Sequence, residues 1–161
     1  KVILVSFTSV QLHGKPRNNA PKRLLAIDPG KDTGWCLFVN GFVADIGICR
    51  GIQELISWLE EQEPMDQIVM EEFMLFKHKA LQQSGSKMEV TQAQGIVLSW
   101  AHRNGKPPIA KQRPLEPLKL APMWTGVRMP TNHKNSHHIA AFYHGVYWLV
   151  TKGVWELPDG T

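Results

Sequence analysis

The chain reads as a mixed α/β domain, with one sheet that opens in a hairpin and continues through crossover helices. Three observations predict it. Gly34 to Val39 and Phe42 to Cys49 are strand-like runs flanking Asn40-Gly41, and Asn-Gly between such runs is the strongest short hairpin signal. Leu24 to Ile27 and Gln67 to Glu71 are short apolar runs suited to buried strands, and helix-period sequence lies between them. A length of 161 residues fits one ordinary domain with its own core.

Taken in order, residues 1 to 10 read as a strand or an appended segment, and residues 11 to 23 have linker composition. The domain is therefore expected to span 23–161, with 1–22 as an N-terminal extension. Leu24 to Ile27 runs into Asp28-Pro29-Gly30, a strand followed by a turn. Gly51 to Gln62 places Ile52, Leu55, Ile56 and Leu59 at amphipathic-helix spacing, and Pro64 closes it. His78 to His102 is predicted helical, with Leu81, Met88, Gln92, Gly95, Leu98 and Ala101 near one face. Pro108 to Gln112 reads as a strand. Pro114, Pro117, Pro122 and Pro130 predict a loop over 113–131. A last helix runs from Asn135 to Lys152, carried by Ile139, Tyr143, Val146, Tyr147 and Val150. Strands joined by crossover helices make a layered α/β structure.

Composition narrows the class. Hydrophobic residues make up 43% and charged residues 20%, which argues against disorder and fibrous repeats. Cys36 and Cys49 cannot form a disulfide framework and are expected as core thiols in a reducing compartment. No apolar run reaches the roughly 18 residues of a membrane helix, and the apolar opening Lys1 to Phe7 lacks a small-residue cleavage site. An intracellular, non-secreted protein is expected. The net charge of +4 is unevenly spread: eight of the fourteen acids lie between Asp45 and Glu72. Arg103, Lys106, Lys111, Arg113, Lys119, Arg128 and Lys134 face only Glu116 across 103–134. A polyanionic partner and a separate acidic site would produce that segregation, as would solvated basic loops.

Two acids carry the chemistry. Asp28 and Glu71 each end an apolar strand, and alternation turns Glu72 to the opposite face from Glu71. Asp28 alone also suits a turn cap. Carboxylates at the ends of adjacent central strands are costly to bury without a positive charge between them. Mg2+ or Mn2+ is the usual solution, bridging to a phosphate.

Leu24-Leu25-Ala26-Ile27-Asp28-Pro29-Gly30-Lys31-Asp32-Thr33-Gly34-Trp35 resembles the first strand of RuvC-type Holliday junction resolvases. Ile68-Val69-Met70-Glu71-Glu72-Phe73 resembles their second acidic motif, and Thr91-Gln92-Ala93-Gln94-Gly95 the helix that follows, where a small residue lets helix and sheet pack closely. Asn135 to Leu149 is similar to the phage-type form of the closing motif. The resemblance covers residues 23 to 151 in order. It implies an RNase H-like fold with a mixed five-stranded sheet flanked by helices, a homodimer, and cutting of four-way DNA junctions by two metal ions. Those ions would be Mg2+, with Mn2+ as a substitute. It further implies that Asp28 bridges both metals, Glu71 binds one, and His137 is a third ligand. The same motif expects an aspartate at position 140, where this chain has Ala140.

Alanine cannot ligate a metal. Either an inactivating substitution sits in an otherwise intact motif, which the neighbouring residues favour, or the chain is a relative that binds branched DNA without cutting. A nuclease for other branched DNA or RNA is a further alternative. Actin-like ATPases also use an Asp-x-Gly turn, but they need two such subdomains. His133, His137 and His144 share a helical stripe, yet no Cys or intervening Glu completes a zinc site. His144 is read as a satisfied neighbour of the site or a phosphate contact, and His138 as exposed. The basic residues Arg103 to Lys134 would follow the DNA backbone. Met123 and Trp124 would meet opened bases, unless Trp124 only anchors its loop.

Overall fold

The computed structural model describes residues 14–72 and 84–160. Its elements begin with β1 (Lys15–Pro16), β2 (Arg23–Asp28), β3 (Asp32–Val39), β4 (Phe42–Arg50), α1 (Gly51–Glu60) and β5 (Gln67–Glu71). They continue with α2 (Ser84–Arg103), β6 (Ile109–Gln112), α3 (Leu115–Thr125), a 3-10 turn at His133–Asn135, α4 (His137–Thr151) and β7 (Trp155–Glu156). The main sheet has five strands in the order β4-β3-β2-β5-β6. β3 runs antiparallel to both β2 and β4, whereas β2, β5 and β6 are parallel. At the hairpin tip, Asn40 and Gly41 have φ of 51° and 85°. That left-handed pair is what a tight hairpin between twisted strands requires.

Strict alternation builds two cores. Leu24 and Ala26 of β2, Cys36 and Phe38 of β3, and Val69 of β5 face α4, where they meet Ile139, Phe142, Val146 and Leu149. Leu25, Ile27, Trp35, Ile68 and Met70 face the other way, onto Leu55 and Leu59 of α1 and Ala93, Val97, Trp100 and Ala101 of α2. Period-two side-chain placement makes both faces apolar. It also decides where the acids go. Asp28 continues the Leu24–Ala26 row and Glu71 the Val69 row, so both turn toward α4. Cys36 and Cys49 are buried free thiols, and burial pushes Cys49 up to about 12.

Three expectations are corrected. The proline-rich stretch is largely helical, as α3. Pro114 sits at the N-cap and Pro117 in the first turn, where an N–H has no intrahelical partner anyway. Pro122 therefore costs only one bond, and Gly126 ends the helix in the left-handed region with its N–H on the Pro122 carbonyl. The buried face of α2 runs through Ala93, Val97, Trp100 and Ala101, while Met88 is 64% and Leu98 38% exposed. Gly95 has open space beside it, so Ala93 rather than Gly95 makes the close contact. His138 is buried, not exposed. α4 lies between the sheet and α3, and a helix covered on both sides is apolar almost all round.

β1 pairs antiparallel with β7, and Arg17 donates its N–H to the Val154 carbonyl at 2.8 Å. The strand expected over residues 1 to 10 and the start of the helix expected from His78, Leu81 included, lie outside the described residues. Among the described residues, no helix is long and apolar enough to cross a membrane.

Candidate active site

Ile27 pairs with Met70 across parallel strands, so the next residues, Asp28 and Glu71, stand side by side at the carboxyl ends of β2 and β5. Neighbouring strands are about 4.8 Å apart. Burial pushes the Asp28 carboxyl above its ordinary range; the hydrogen bond from His137 opposes this and the charge of Glu71 adds to it. Each acid is answered by a histidine of α4. His137 Nδ1 lies 2.9 Å from Asp28 Oδ2, and His144 Nε2 lies 2.9 Å from Glu71 Oε2. The two histidines are seven residues apart, two helical turns, and so share one face. His144 is fully buried, and its Nδ1 meets Gln112 Oε1 at 2.9 Å. Gln94 of α2 donates Nε2 to the Glu71 carbonyl at 3.3 Å. Ala140 lies one turn after His137, 7% exposed, on the stripe between the two rings.

Gly34 lets α4 come this close. It is the β3 partner of Asp28, and a Cβ there would lie 2.0 Å from both the backbone C and O of His137. Gly34→Ala is expected to push the start of α4 off the sheet, destabilising the fold by about 2–3 kcal/mol. Equilibrium urea unfolding checks this; a loss below about 0.5 kcal/mol would contradict the close approach. Arg50 ties the same segment down from β4. Its Nη1 donates to Asp32 Oδ2 at 2.9 Å and to the Lys134 carbonyl at 2.7 Å, and its Nη2 to Asn135 Oδ1 at 3.0 Å.

The Asp28–His137 pair gives stability a defined pH dependence. The hydrogen bond to Asp28 raises His137 above its ordinary 6.5 despite the opposing effect of burial. The folded state then holds this proton more tightly than the unfolded chain, and the stabilisation fades as pH climbs above 6.5. Asp28, also raised, acts in the same direction from 3.8 upward. His138 has the opposite sign, because burial lowers its value and its contribution is lost as pH falls through 6.5. Unfolding free energy is therefore expected to decline from pH 6.5 to 9. In His137→Gln the decline should flatten. An equal slope in both chains would contradict the pairing.

Asp28 Oδ1 and Glu71 Oε1 accept no hydrogen bond from the described residues. Two carboxylate oxygens on neighbouring strands suit one divalent cation at oxygen–metal distances of about 2.1 Å. His137 stands on the Asp28 side of the pair, bonded to that carboxylate through Nδ1. Ala140, on the same helical stripe, offers no side-chain donor atom. Among the described residues, no three His, Cys, Asp or Glu side chains already converge as a metal cage.

The basic residues do not form one surface. Arg103 and Lys106 lie near the start of β6, the end of the strand remote from Gln112 and the acids. Lys111 alternates with Gln112 and so leaves the opposite face of the edge strand. Arg113, Lys119, Arg128 and Lys134 are exposed around α3 and the approach to α4. Trp124 is half-buried and stacks on Tyr147, with ring centroids 6.2 Å apart, so it anchors α3 to α4. His144 is interior and touches no surface. Sequence reasoning missed Gln112, Gln94, Arg50 and the reason for Gly34. Gln112 had a signal, since it ends a predicted strand beside the one ended by Glu71. Arg50 had none.

The sheet order, the crossover helices and α4 packed over the acid-bearing strand ends define the RuvC-like form of the RNase H fold. The structure superposes on that of RuvC from Thermus thermophilus with a TM-score of 0.56 and 14% identity, covering 83% of this chain and 98% of that one. No protein-family model and no curated protein sequence matches the chain.

Proposed function

We propose that the chain is a structure-selective endonuclease of RuvC type that acts on four-way DNA junctions, with cutting impaired by Ala140. The supporting observation is the pairing of Asp28 with Glu71 at adjacent parallel strand ends, each held by a histidine of α4. In this reading Asp28, Glu71 and His137 hold Mg2+, or Mn2+ as a substitute. Such a cation would supply Lewis-acid polarisation of a phosphodiester and a lowered pKa for a bound water. The protein's own contribution is placement. Gln112 and His144 fix the Glu71 carboxylate, the β3 glycine seats α4, and Arg50 holds the turn that presents His137. The family's second ion has no carboxylate here. The reading further places 23–161 as the nuclease unit with 1–22 as an extension, a homodimer as the assembly, and a DNA-containing intracellular compartment as the setting.

Ala140 favours one other reading, a protein that binds branched DNA without cutting. Gel-shift competition with Ca2+ in place of Mg2+ tests what the two readings share. A four-way junction is expected to bind at least about 100-fold more tightly than a linear duplex of the same sequence. Equal affinity for both would sink both readings.

A further inference from the structure

We infer that the outward face of α3 is a base-contacting surface, which takes the exposed faces of unstacked bases on a DNA strand leaving the acid pair. The inference rests on the functional reading above and adds an element to it.

α3 has two opposite faces. Pro117, Ala121 and Thr125 are its buried residues, spaced four apart, and they seat it on the domain. Leu115, Lys119 and Met123 follow the same spacing two residues out of phase, which at about 100° per residue turns them to the far side. Leu115 is 77% and Met123 72% exposed, the two most exposed large apolar side chains among the described residues. The eight steps from Leu115 to Met123 rise about 12 Å along the helix, the length of three or four nucleotides of a strand at about 3.4 Å each.

Charge selects the occupant. Lys119 sits between the two apolar side chains, and Arg113 and Arg128 are exposed just beyond either end of α3. Glu116 is the helix's only acid, and its carboxylate is engaged by the Tyr147 hydroxyl. An apolar stripe set among cations suits a strand that offers base faces and phosphates together. Position agrees, because Leu115 is three residues after Gln112 and its Cα is therefore within about 11 Å of it. Gln112 in turn reaches Glu71 through His144.

The test uses the full chain, Ca2+, and a four-way junction carrying 2-aminopurine beside the branch point. Binding is expected to raise its fluorescence about twofold or more, as the base leaves its stack. The double variant Leu115→Ser/Met123→Ser changes only exposed side chains. It should keep junction affinity within about threefold while losing the fluorescence rise. Lys119→Ala should weaken binding about tenfold at low salt and reduce the salt slope by about one. Junction binding without a fluorescence rise, or a rise that survives in the double variant, overturns the base-contact surface and leaves the functional reading standing. No junction binding at all overturns both.

Discussion

Ala140→Asp is expected to raise Mg2+-dependent cleavage of a four-way junction by at least about 100-fold. Position 140 lies one helical turn from His137 on the stripe that faces Asp28 and Glu71, and it is 7% exposed. A carboxylate placed there enters a site that already buries one acid with a raised pKa. Without a cation the new charge should destabilise the fold by about 1–3 kcal/mol. If positions 28, 71 and 140 form the proposed cation site, the melting temperature of the variant should rise on adding Mg2+ by several degrees more than that of the parent chain. Ala140→Asn is the control, with nearly the same shape and no charge. It should neither cut nor respond to Mg2+. If Ala140→Asp melts independently of Mg2+ and cuts no faster than the parent, position 140 does not belong to the metal site.

The second large effect is on the fold. His144→Ala is expected to cost about 3–5 kcal/mol. The ring is fully buried and stands between Glu71 and Gln112 at 2.9 Å from each. Removing it leaves a cavity, a half-buried amide without its partner, and a half-buried carboxylate without its hydrogen-bond partner. At about 2–4 °C per kcal/mol for a chain of this size, the melting temperature should fall by roughly 6–20 °C. Gln112→Ala removes one outer bond of the same chain and should cost only about 1–2 kcal/mol. The two losses should not add, because once the ring is gone Gln112 has nothing to hold. In the Ala140→Asp background, Gln112→Ala should also weaken Mg2+ binding by about 10- to 100-fold through a loosened Glu71. Additive losses and unchanged Mg2+ affinity would reduce the His144–Gln112 chain to packing alone.

The frame of this fold was legible in the sequence because it rests on local signals. Asn40-Gly41 marks a hairpin by itself, and Leu24–Asp28 and Gln67–Glu71 show both the strands and the acids that end them. The same alternation that buries Ala26 and Val69 aims Asp28 and Glu71 at one face. What stayed hidden depends on layers. The prolines of α3 spoke against a helix until their places in it, at the N-cap and first turn, were known. The burial of His138 depended on how closely α4 approaches β3, and the true face of α2 on what packs beneath it. Gly34 looked like part of a turn motif, whereas its role is to admit the backbone of His137, more than a hundred residues away. The Arg50 clamp joins β4 to the entry of α4, a contact no local pattern announces.

The measurement that bears most directly on the central claim is strand-resolved mapping of cuts on an immobile four-way junction, using the Ala140→Asp chain with Mg2+. Paired nicks are expected at symmetry-related positions on two opposing strands, with no cutting of the matched linear duplex and loss of both nicks when Asp28→Asn is added. Equal cutting of duplex and junction, or nicks that persist without the Asp28 carboxylate, would contradict the claim.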